Sequence, residues 1–136
     1  MKVMLTGGAY LPTRAHPNDA GLDIYSKETA LVPAGGSHVF YTGVHVELPS
    51  GTCGVLMSKS GLYVNHSIIS TGLIDVGYTG EIVVKLTNLG DRHYLVQQGD
   101  KISQLVVMQC KMPKIEVVAS LGETERGENG FGSTGR

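Results

Sequence analysis

The sequence predicts an all-β protein, a distorted β-barrel or jelly roll, and three observations lead to this class. Nineteen glycines in 136 residues, about twice the usual share of roughly 7 %, divide the chain at turns. Between the turns lie short segments rich in β-branched and aromatic residues, which favour strands. No window carries an apolar stripe at helical spacing over three turns. Many short strands separated by turns are typical of a sandwich or a barrel.

Two segments show the alternation expected of a strand with one buried face. In GVHVELPSG and EIVVKLTN every second residue is apolar, which places the apolar set on one side of the strand. These residues are Val44, Val46, Leu48, Ile82, Val84 and Leu86. Further strand candidates are GLDIYS, SHVFYT, TCGVLM, HYLV, KISQLVVMQC and KIEVVA.

The apolar pattern stops after Leu121. The final segment, RGENGFGSTGR, cannot bury enough apolar area to fold by itself. A chain of 136 residues fits one domain with its own core. We therefore predict a β-barrel domain over residues 1–120 and a flexible C-terminal arm over residues 121–136.

Composition narrows the possible partners and the compartment. A formal net charge of -1 provides no field that would attract nucleic acid, so we expect a small ligand and no direct nucleic-acid binding. No apolar stretch approaches membrane length and no signal-peptide pattern occurs, so we expect no membrane partner. Cys53 and Cys110 lie far apart in the sequence and are interpreted as reduced, buried thiols. We expect a cytoplasmic protein, or one in the host cytoplasm or nucleus if the chain is viral.

The segment STGLIDVGYTGEIVV carries the most candidate chemistry. Glycines at 72, 77 and 80 interrupt a strand-like run that holds Asp75 and Tyr78. Two extended arms with glycines between them predict a hairpin-like pocket, in which exposed backbone can bind the flat edge of a ligand. A single aspartate in such a turn is more often only a turn former.

Three further segments offer polar groups. MSKSGL places Lys59 and Ser60 before Gly61, a cation and a hydroxyl beside a residue that lets backbone N–H groups approach an anion. It lacks the glycines of a P-loop. The segments DAGLDIYS and QQGDKISQL contribute Asp19, Asp23, Asp100 and Gln104. Taken one at a time, such residues usually belong to turns and surfaces.

Taken together and in order, five segments form a set: DAGLDI, SKSGL, GLIDVGYTGEI, GDKISQL and RGENGFGSTG. They closely resemble the five motifs of the trimeric dUTP pyrophosphatase (dUTPase) family, from about residue 18 to the C-terminus. The resemblance implies a homotrimer whose active sites are each built from three chains. It also implies that the C-terminal arm of one subunit closes a site formed by the other two.

By this resemblance the chain would hydrolyse dUTP to dUMP and pyrophosphate, through attack of water on the α-phosphorus. This activity keeps uracil out of DNA and supplies dUMP for thymidylate synthesis. Asp75 is implied as the base that activates the water, an effect usually worth roughly 10²–10⁴ in rate. Mg²⁺ chelated by the phosphates is implied as cofactor, with Asp23 holding it through water ligands.

The resemblance also implies the residues that bind the phosphates. Lys59 would neutralise phosphate charge, although the family more often has arginine there and a point charge replaces a planar contact. Ser60, beside Gly61, would donate near the oxygen that bridges the α- and β-phosphates. Gln104 would hold the α-phosphate or the attacking water.

Selectivity for the base and the sugar is implied by two further groups. The backbone from Ile69 to Gly72 would pair with uracil and leave no room for a 5-methyl group. Tyr78 would pack beneath the deoxyribose, where a 2′-hydroxyl would collide with the ring.

The C-terminal arm would complete the site. Its sixteen residues, 121–136, could span roughly 53 Å when extended, against a radius of gyration of about 14 Å for the body. Arg126 is implied to clamp phosphate and Phe131 to stack on the base. Gly132, Ser133 and Thr134 are implied to contact the terminal phosphate.

Two other functions are compatible with parts of the sequence. A dCTP deaminase shares the fold and the trimer but releases ammonia; its zinc-dependent form would need H-x-E together with P-C-x-x-C, a combination that the sequence lacks. A nucleotide-sensing regulator would use dUTP occupancy to control a protein partner.

Overall fold

The structure is a computed structural model that describes residues 1–130. Within these residues the backbone forms ten β-strands and one short α-helix. The elements are β1 (Lys2–Leu5), β2 (Gly21–Tyr25), β3 (Ala30–Val32), β4 (Ser37–Glu47), β5 (Thr52–Met57), α1 (Ser60–His66), β6 (Ile68–Ile69), β7 (Thr71–Ile74), β8 (Glu81–Asn88), β9 (Tyr94–Val96) and β10 (Lys101–Gln109).

The strands form three antiparallel sheets within the described residues. The first sheet has the order β1-β4-β8-β6, the second has the order β2-β10-β5-β7, and β3 pairs with β9 in the third. Apolar side chains from all three sheets meet in one buried cluster, with Phe40 and Ile82 from the first sheet and Ile24 and Leu105 from the second. Each such side chain stabilises the fold by roughly 1.5–3 kcal/mol. The all-β class is confirmed, and the sheets are not closed into a barrel.

The two alternating segments behave as predicted. The six apolar residues named from GVHVELPSG and EIVVKLTN are all buried. Strand β4 contains the first five residues of one segment and the SHVFYT segment before it, while β8 matches the other segment residue for residue. The period of two therefore identified the buried face correctly, because successive side chains of a strand point to opposite sides.

The prediction of a strand at KIEVVA is wrong. Residues 114–119, which lie inside the described range, form no strand, and the side chains of Ile115 and Val117 are 94% and 95% exposed. A strand needs a partner for its backbone groups, and this segment follows the end of β10 without one among residues 1–130. Among the described residues of one chain, no strand is available to pair with this segment.

The sequence pattern also missed the helix α1. This helix spans Ser60–His66 and contains no buried residue, so it has no apolar stripe that periodicity could detect. It ends at Ser67, which adopts the left-handed conformation with φ 55°. The short edge strands β1 and β3 were not predicted either.

The hairpin predicted for STGLIDVGYTGEIVV is not formed. Its two extended arms are strands β7 and β8, but β7 pairs with β5 in the second sheet and β8 pairs with β4 and β6 in the first. The chain therefore crosses between sheets at residues 75–80. A period of two shows which face is buried and carries no information about the partner strand.

The two cysteines are free, as expected, but half-exposed and not fully buried. Cys53 lies in β5 opposite Met108 of β10, and Cys110 directly follows β10, where its N–H donates to the carbonyl of Gly51 at 3.0 Å. Burial, followed by contact with Cys53, raises the pKa of the Cys110 thiol. Among residues 1–130 no helix is both long and apolar enough to cross a membrane.

Gly43 is the glycine whose replacement should disturb the first sheet most. It has a φ of +70°, and a Cβ there would overlap the carbonyl oxygen of Thr6 and lie 2.8 Å from the Cβ of Ala9. Gly35 has a similar φ of +65° but no atom within 4 Å of such a Cβ. We predict that Gly43→Ala lowers the free energy of unfolding by about 1–3 kcal/mol more than Gly35→Ala, because only the first adds a clash to backbone strain.

Urea unfolding of the two variants beside the parent protein measures this difference. Equal losses in the two variants would show that backbone strain, and not the contact with Thr6, determines the cost.

Candidate active site

A polar pocket lies on the outer face of the second sheet. Asp23 in β2 is opposite Gln104 in β10, which in turn is opposite Met57 at the end of β5. These residues line a cleft of about 370 Å³ together with Lys59 and Lys101. The segments DAGLDI, SKSGL and GDKISQL, separate in the sequence, therefore meet in one place.

Asp23 forms the centre of this pocket. The residue is only 5% exposed, and both of its carboxylate oxygens are paired. The ammonium of Lys59 contacts Oδ1, and the ammonium of Lys101 lies 2.7 Å from Oδ2. A buried carboxylate requires such partners, because transfer from water into a protein interior strongly disfavours an isolated charge.

The pKa values follow this arrangement. Burial by itself raises the pKa of Asp23, but the hydrogen bonds from Lys101 and Lys59 outweigh burial and hold the pKa below the ordinary aspartate value. The same contact with Asp23 raises the pKa of Lys101. Each partner of this pair therefore favours the charged form of the other.

A chain of hydroxyl groups fixes the backbone beside this pocket. Ser58 Oγ donates to the carbonyl of Ser70 at 3.1 Å and accepts from the Ser70 N–H at 2.9 Å. The buried hydroxyls of Ser70 and Ser103 lie 2.9 Å apart, and Ser103 Oγ donates to the carbonyl of Met57 at 3.0 Å. Gln104 Nε2 donates to the carbonyl of Ser58 at 3.0 Å. These bonds connect the residues before Lys59 to β10 and to the crossover between β6 and β7.

Ser60 and Gly61 form the first turn of α1, directly after Lys59. Both are exposed, and a Cβ at Gly61 would meet open space. The stretch from Ile69 to Gly72 connects β6 in the first sheet to β7 in the second. Ser60, Ile69 and the residues between Ile69 and Gly72 line a neighbouring cleft of about 440 Å³. Of the four predicted residues, Ser60 and Ile69 thus line a second depression, and Gly61 and Gly72 directly follow lining residues in the sequence.

Asp75 lies outside both clefts. It is exposed, follows the last residue of β7, and begins the crossover of residues 75–80. Its backbone carbonyl accepts from the N–H of Tyr78 at 3.0 Å, so the turn is closed by the backbone while the carboxylate is left for other contacts.

The hydroxyl of Tyr78 is fixed by a hydrogen bond, while its ring is partly exposed to solvent. Its hydroxyl donates to the carbonyl of Glu81 at 3.0 Å, and its ring lies where a side chain on Gly80 would have to be. His45 from β4 fixes the same loop through a contact of 3.0 Å between Nδ1 and the carbonyl of Thr79. The ring remains 45% exposed. The structure therefore agrees with Tyr78 being outside the core.

Asp75 and Asp23 are far apart within one chain. The row of directly opposed residues that contains Asp23 ends at Thr71 in β7, four residues before Asp75. Three strand spacings and four residues correspond to about 20 Å between the two Cα atoms. One chain does not bring the predicted base to the predicted phosphate pocket.

The C-terminal residues are described only in part. Arg126 is exposed, and its Nε donates to the carbonyl of Asn129 at 2.9 Å. Phe131, Gly132, Ser133 and Thr134, which the sequence predicts to contact substrate, lie outside the described residues.

Sequence reasoning missed Lys101 and the hydroxyl chain. Lys101 lies inside the GDKISQL segment. In the sequence alone it is indistinguishable from an ordinary surface lysine, because its contact with Asp23 depends on the pairing of β2 with β10. Ser58, Ser70 and Ser103 carry no signal in the sequence that distinguishes them from other serines.

The comparison with known proteins decides the family. A family model described as dUTPase matches residues 8–135. The chain belongs to the dUTPase family. The resemblance based on the five motifs is confirmed, and the protein is a hydrolase of the dUTPase class.

Relatives from distant organisms match this dUTPase over nearly its whole length. The deoxyuridine 5'-triphosphate nucleotidohydrolase of Clostridium kluyveri is 44% identical over 130 residues, 93% of this chain and 91% of that protein. The protein of the same name from Crocosphaera subtropica is 42% identical over 136 residues, 98% of this chain and 96% of that one. The one from Paramecium bursaria Chlorella virus 1 is 40% identical, with 96% and 94% covered.

Solved dUTPase structures share the fold. The dUTPase of Staphylococcus bacteriophage 80alpha with dUPNHPP superposes with a TM-score of 0.89 at 31% identity, over 99% of this chain and 98% of that one. A variant of the dUTPase from phage phi11 of S. aureus, whose structure shows the coordination of a structural Mg(II) ion, gives a TM-score of 0.80 at 29% identity, over 88% and 96%. Phage dUTPases are described as controlling the transfer of virulence genes, which is a property of those proteins.

Replacing Asp23 should make stability depend differently on pH. We predict that Asp23→Asn lowers the free energy of unfolding by about 1–3 kcal/mol at neutral pH, because two ammonium groups lose their partner; their partial exposure keeps the cost at the lower end. The folded pKa of Asp23 lies below its unfolded value of about 3.9. Its charge therefore contributes fully above that value, and the contribution is lost as pH falls through the folded pKa.

Urea unfolding of the parent and the variant from neutral pH down to about pH 2.5 checks this expectation. The gap between the two should close in acid; a gap that stays constant over the whole range would contradict it.

Proposed function

We propose that this protein hydrolyses dUTP to dUMP and pyrophosphate by attack of water on the α-phosphorus, with Mg²⁺ as cofactor. The reaction keeps uracil out of DNA and supplies dUMP for thymidylate synthesis. The observation that carries the proposal is the convergence of Asp23, Lys59 and Gln104, from three separate motifs of the dUTPase family, on one pocket. The pocket contains two lysine side chains, Lys59 and Lys101, that can neutralise charge on a triphosphate.

The phosphates bind at the polar pocket. Lys59 supplies a positive charge to them, and Ser60 with Gly61 supplies donors near the bridging oxygen of the α- and β-phosphates. Support comes from the position of all three at the start of α1, next to the pocket wall. The amide of Gln104 lies in the pocket and donates to the carbonyl of Ser58. From this position it can turn to the α-phosphate or to the attacking water.

In this pocket Mg²⁺ would be bound mainly by the phosphates of the nucleotide and only secondarily by protein side chains. Oxygen ligands such as the Asp23 carboxylate suit Mg²⁺, which keeps several waters and binds through one or two carboxylates plus phosphates. Among residues 1–130 no three His, Cys, Asp or Glu side chains converge on one position. Asp23 would hold the ion through its waters, and the ion would neutralise charge on the phosphates. The structural Mg(II) of the phage phi11 dUTPase shows that a relative binds this ion.

Asp75 is the base that activates the water, and the exposed position of its carboxylate supports this role. The backbone from Ile69 to Gly72 pairs with uracil, beside the cleft that the structure places there. Tyr78 packs beneath the deoxyribose and excludes a 2′-hydroxyl. The fixed hydroxyl and open face of Tyr78 are what a platform for a sugar needs.

The active site is shared between chains of a homotrimer. The separation of about 20 Å between Asp75 and Asp23 exceeds what one nucleotide can bridge from the α-phosphorus to its metal ion. The two residues of one chain therefore serve different sites, and each site takes one of them from a second copy. Residues 114–119 support this assembly. They are exposed and have the composition of a strand, but they have no partner strand among residues 1–130 of their own chain.

The arm of residues 121–136 then reaches a neighbouring site. Arg126 clamps phosphate, Phe131 stacks on uracil, and Gly132, Ser133 and Thr134 bind the terminal phosphate. The exposure of Arg126, whose guanidinium contacts only a nearby backbone carbonyl among residues 1–130, leaves it available for such a contact. Ordering the arm over the nucleotide would exclude water from the reaction.

A product assay separates this activity from that of a dCTP deaminase. We predict that the protein with Mg²⁺ releases pyrophosphate from dUTP and releases neither pyrophosphate nor ammonia from dCTP. Both products are measured for each nucleotide, with UTP and dTTP as controls for the sugar and the 5-methyl group. Ammonia from dCTP without pyrophosphate from dUTP would overturn the assignment.

Replacing Asp75, the proposed general base, should separate catalysis from substrate binding. We predict that Asp75→Asn lowers the turnover number by at least about 10²-fold while binding of dUPNHPP with Mg²⁺ changes little, because the amide keeps the shape of the side chain but cannot take a proton. Steady-state kinetics and calorimetry measure the two quantities. Loss of binding with loss of turnover would make Asp75 a structural residue.

The same variant tests whether the site is shared. Asp75→Asn and Gln104→Ala damage different motifs of one site, so a trimer assembled from both chains retains some sites with an intact Asp75 and an intact Gln104. Denaturing and refolding the two inactive proteins together should restore part of the activity. The same treatment of each protein alone is the matched control, and no recovery in the mixture would place both residues in a site within one chain.

A further inference from the structure

Lys101 is the cationic residue of the polar pocket to which the resemblance assigns no role. It is the first residue of β10, and its ammonium lies 2.7 Å from Asp23 Oδ2. Its side chain is 42% exposed, against 27% for Lys59. The ammonium of Lys101 therefore touches the buried carboxylate on one side and faces the solvent of the pocket on the other.

A β-bulge directs Lys101 to this position. The register between β10 and β2 shifts between Lys101 and Ser103, where Ile102 and Ser103 are both buried in succession. Regular alternation counted back from Gln104, which faces the pocket, would turn Lys101 towards the core. The extra residue instead returns Lys101 to the face that carries Asp23 and Gln104. Bulges are common beside active sites, where they re-aim a side chain.

The lysines of the pocket outnumber the carboxylate that they contact. Asp23 carries one negative charge and is shared by the two ammonium groups of Lys59 and Lys101. Asp19 also lines the pocket, but it is engaged by the backbone N–H and the ring of His16 at 2.9 and 3.3 Å. A stable ion pair needs only one ammonium for one carboxylate. One of the two ammonium groups can therefore turn to an anionic ligand while the other keeps Asp23 paired.

The two roles of Asp23 also compete. Each oxygen of Asp23 already contacts a lysine, so the waters of a nucleotide-bound Mg²⁺ would compete with the two ammonium groups for the carboxylate. Because Asp23 is only 5% exposed, displacement of one lysine would make room for these waters. Lys101 is the more exposed of the two and has a flexible four-carbon stem, so its ammonium can leave Asp23 Oδ2 at the smaller cost.

We propose that Lys101 is a second phosphate-binding cation of the nucleotide site, held by Asp23 when the site is empty and transferred to the metal-chelating phosphates when the nucleotide binds. This inference rests on the proposed dUTP hydrolysis. Asp23 thereby exchanges an ammonium for the water shell of the metal ion, and the ammonium exchanges a carboxylate for a phosphate. No charged group is then left buried without a partner.

Binding of two ligands to Lys101→Met tests the proposal. Methionine keeps most of the apolar stem and removes the charge, and Lys59 still pairs with Asp23. We expect the dissociation constant of dUPNHPP with Mg²⁺ to rise about 10- to 100-fold, the usual range for a lost hydrogen bond to a charged group, while that of dUMP, which has no metal-chelating phosphate chain, rises less than about threefold. Lys101→Arg should restore most of the affinity for dUPNHPP.

Lys85→Met is the matched control. Lys85 lies opposite Val39 on the exposed face of the first sheet, so both affinities should stay at parental values. Calorimetry gives the dissociation constants, and thermal unfolding with the trimer mass shows that each variant is folded and assembled.

Three results would overturn the role of Lys101. These are parental affinity of Lys101→Met for dUPNHPP, equal losses for dUPNHPP and dUMP, and failure of Lys101→Arg to recover binding. In each case the parent protein still binds dUPNHPP and hydrolyses dUTP, so the proposed function stands. A parent protein that does neither would remove the proposed function and the role of Lys101 together.

Discussion

The attraction between the Asp23 carboxylate and the ammonium groups of Lys59 and Lys101 organises the outer face of the second sheet. Asp23 is buried on β2, and it tolerates burial because both of its oxygens have charged partners. The pairs connect three parts of the chain that are far apart in sequence: β2, the turn before α1, and the start of β10. An anionic ligand entering the pocket meets this cluster first, and the charges of the cluster are already oriented.

The register of the second sheet imposes a second constraint. Asp23, Gln104, Met57 and Thr71 lie in one row across four strands, and Asp75 lies beyond the end of that row. Because strand spacing and rise are nearly invariant, no side-chain rotation can bring Asp75 to the pocket of its own chain. An active site that needs both has to be completed by another copy, which gives a physical reason for oligomerisation in addition to buried area.

The two halves of the proposed site differ in how they are held. The phosphate pocket is fixed by buried hydrogen bonds among Ser58, Ser70 and Ser103, whereas the loop that carries Asp75 and Tyr78 is anchored at its edges and open to solvent. A rigid pocket suits the recognition of charge by position, because misplacement of a charge by a fraction of its contact distance weakens the interaction. An open loop suits a residue that must meet a partner chain and a water molecule.

Much of the fold and part of the site can be predicted from the sequence. The alternation at Val44, Val46 and Leu48 identified a buried strand face because the period of two is a property of the strand alone. The residues of the five motifs and their order were enough to indicate the family. The family in turn indicated Asp75, Lys59 and Gln104 as candidate site residues. The strand predicted at residues 114–119 failed because strand propensity does not specify a partner.

Only the tertiary structure decided which of these residues meet. It divided β7 and β8 between two sheets, placed Asp23 between two lysines, and separated Asp75 from both, because strand order and register are set by contacts between distant segments. Lys101 illustrates the difference most clearly. Its amino acid is visible in the sequence, but its direction depends on a bulge, and a bulge exists only where two strands are paired.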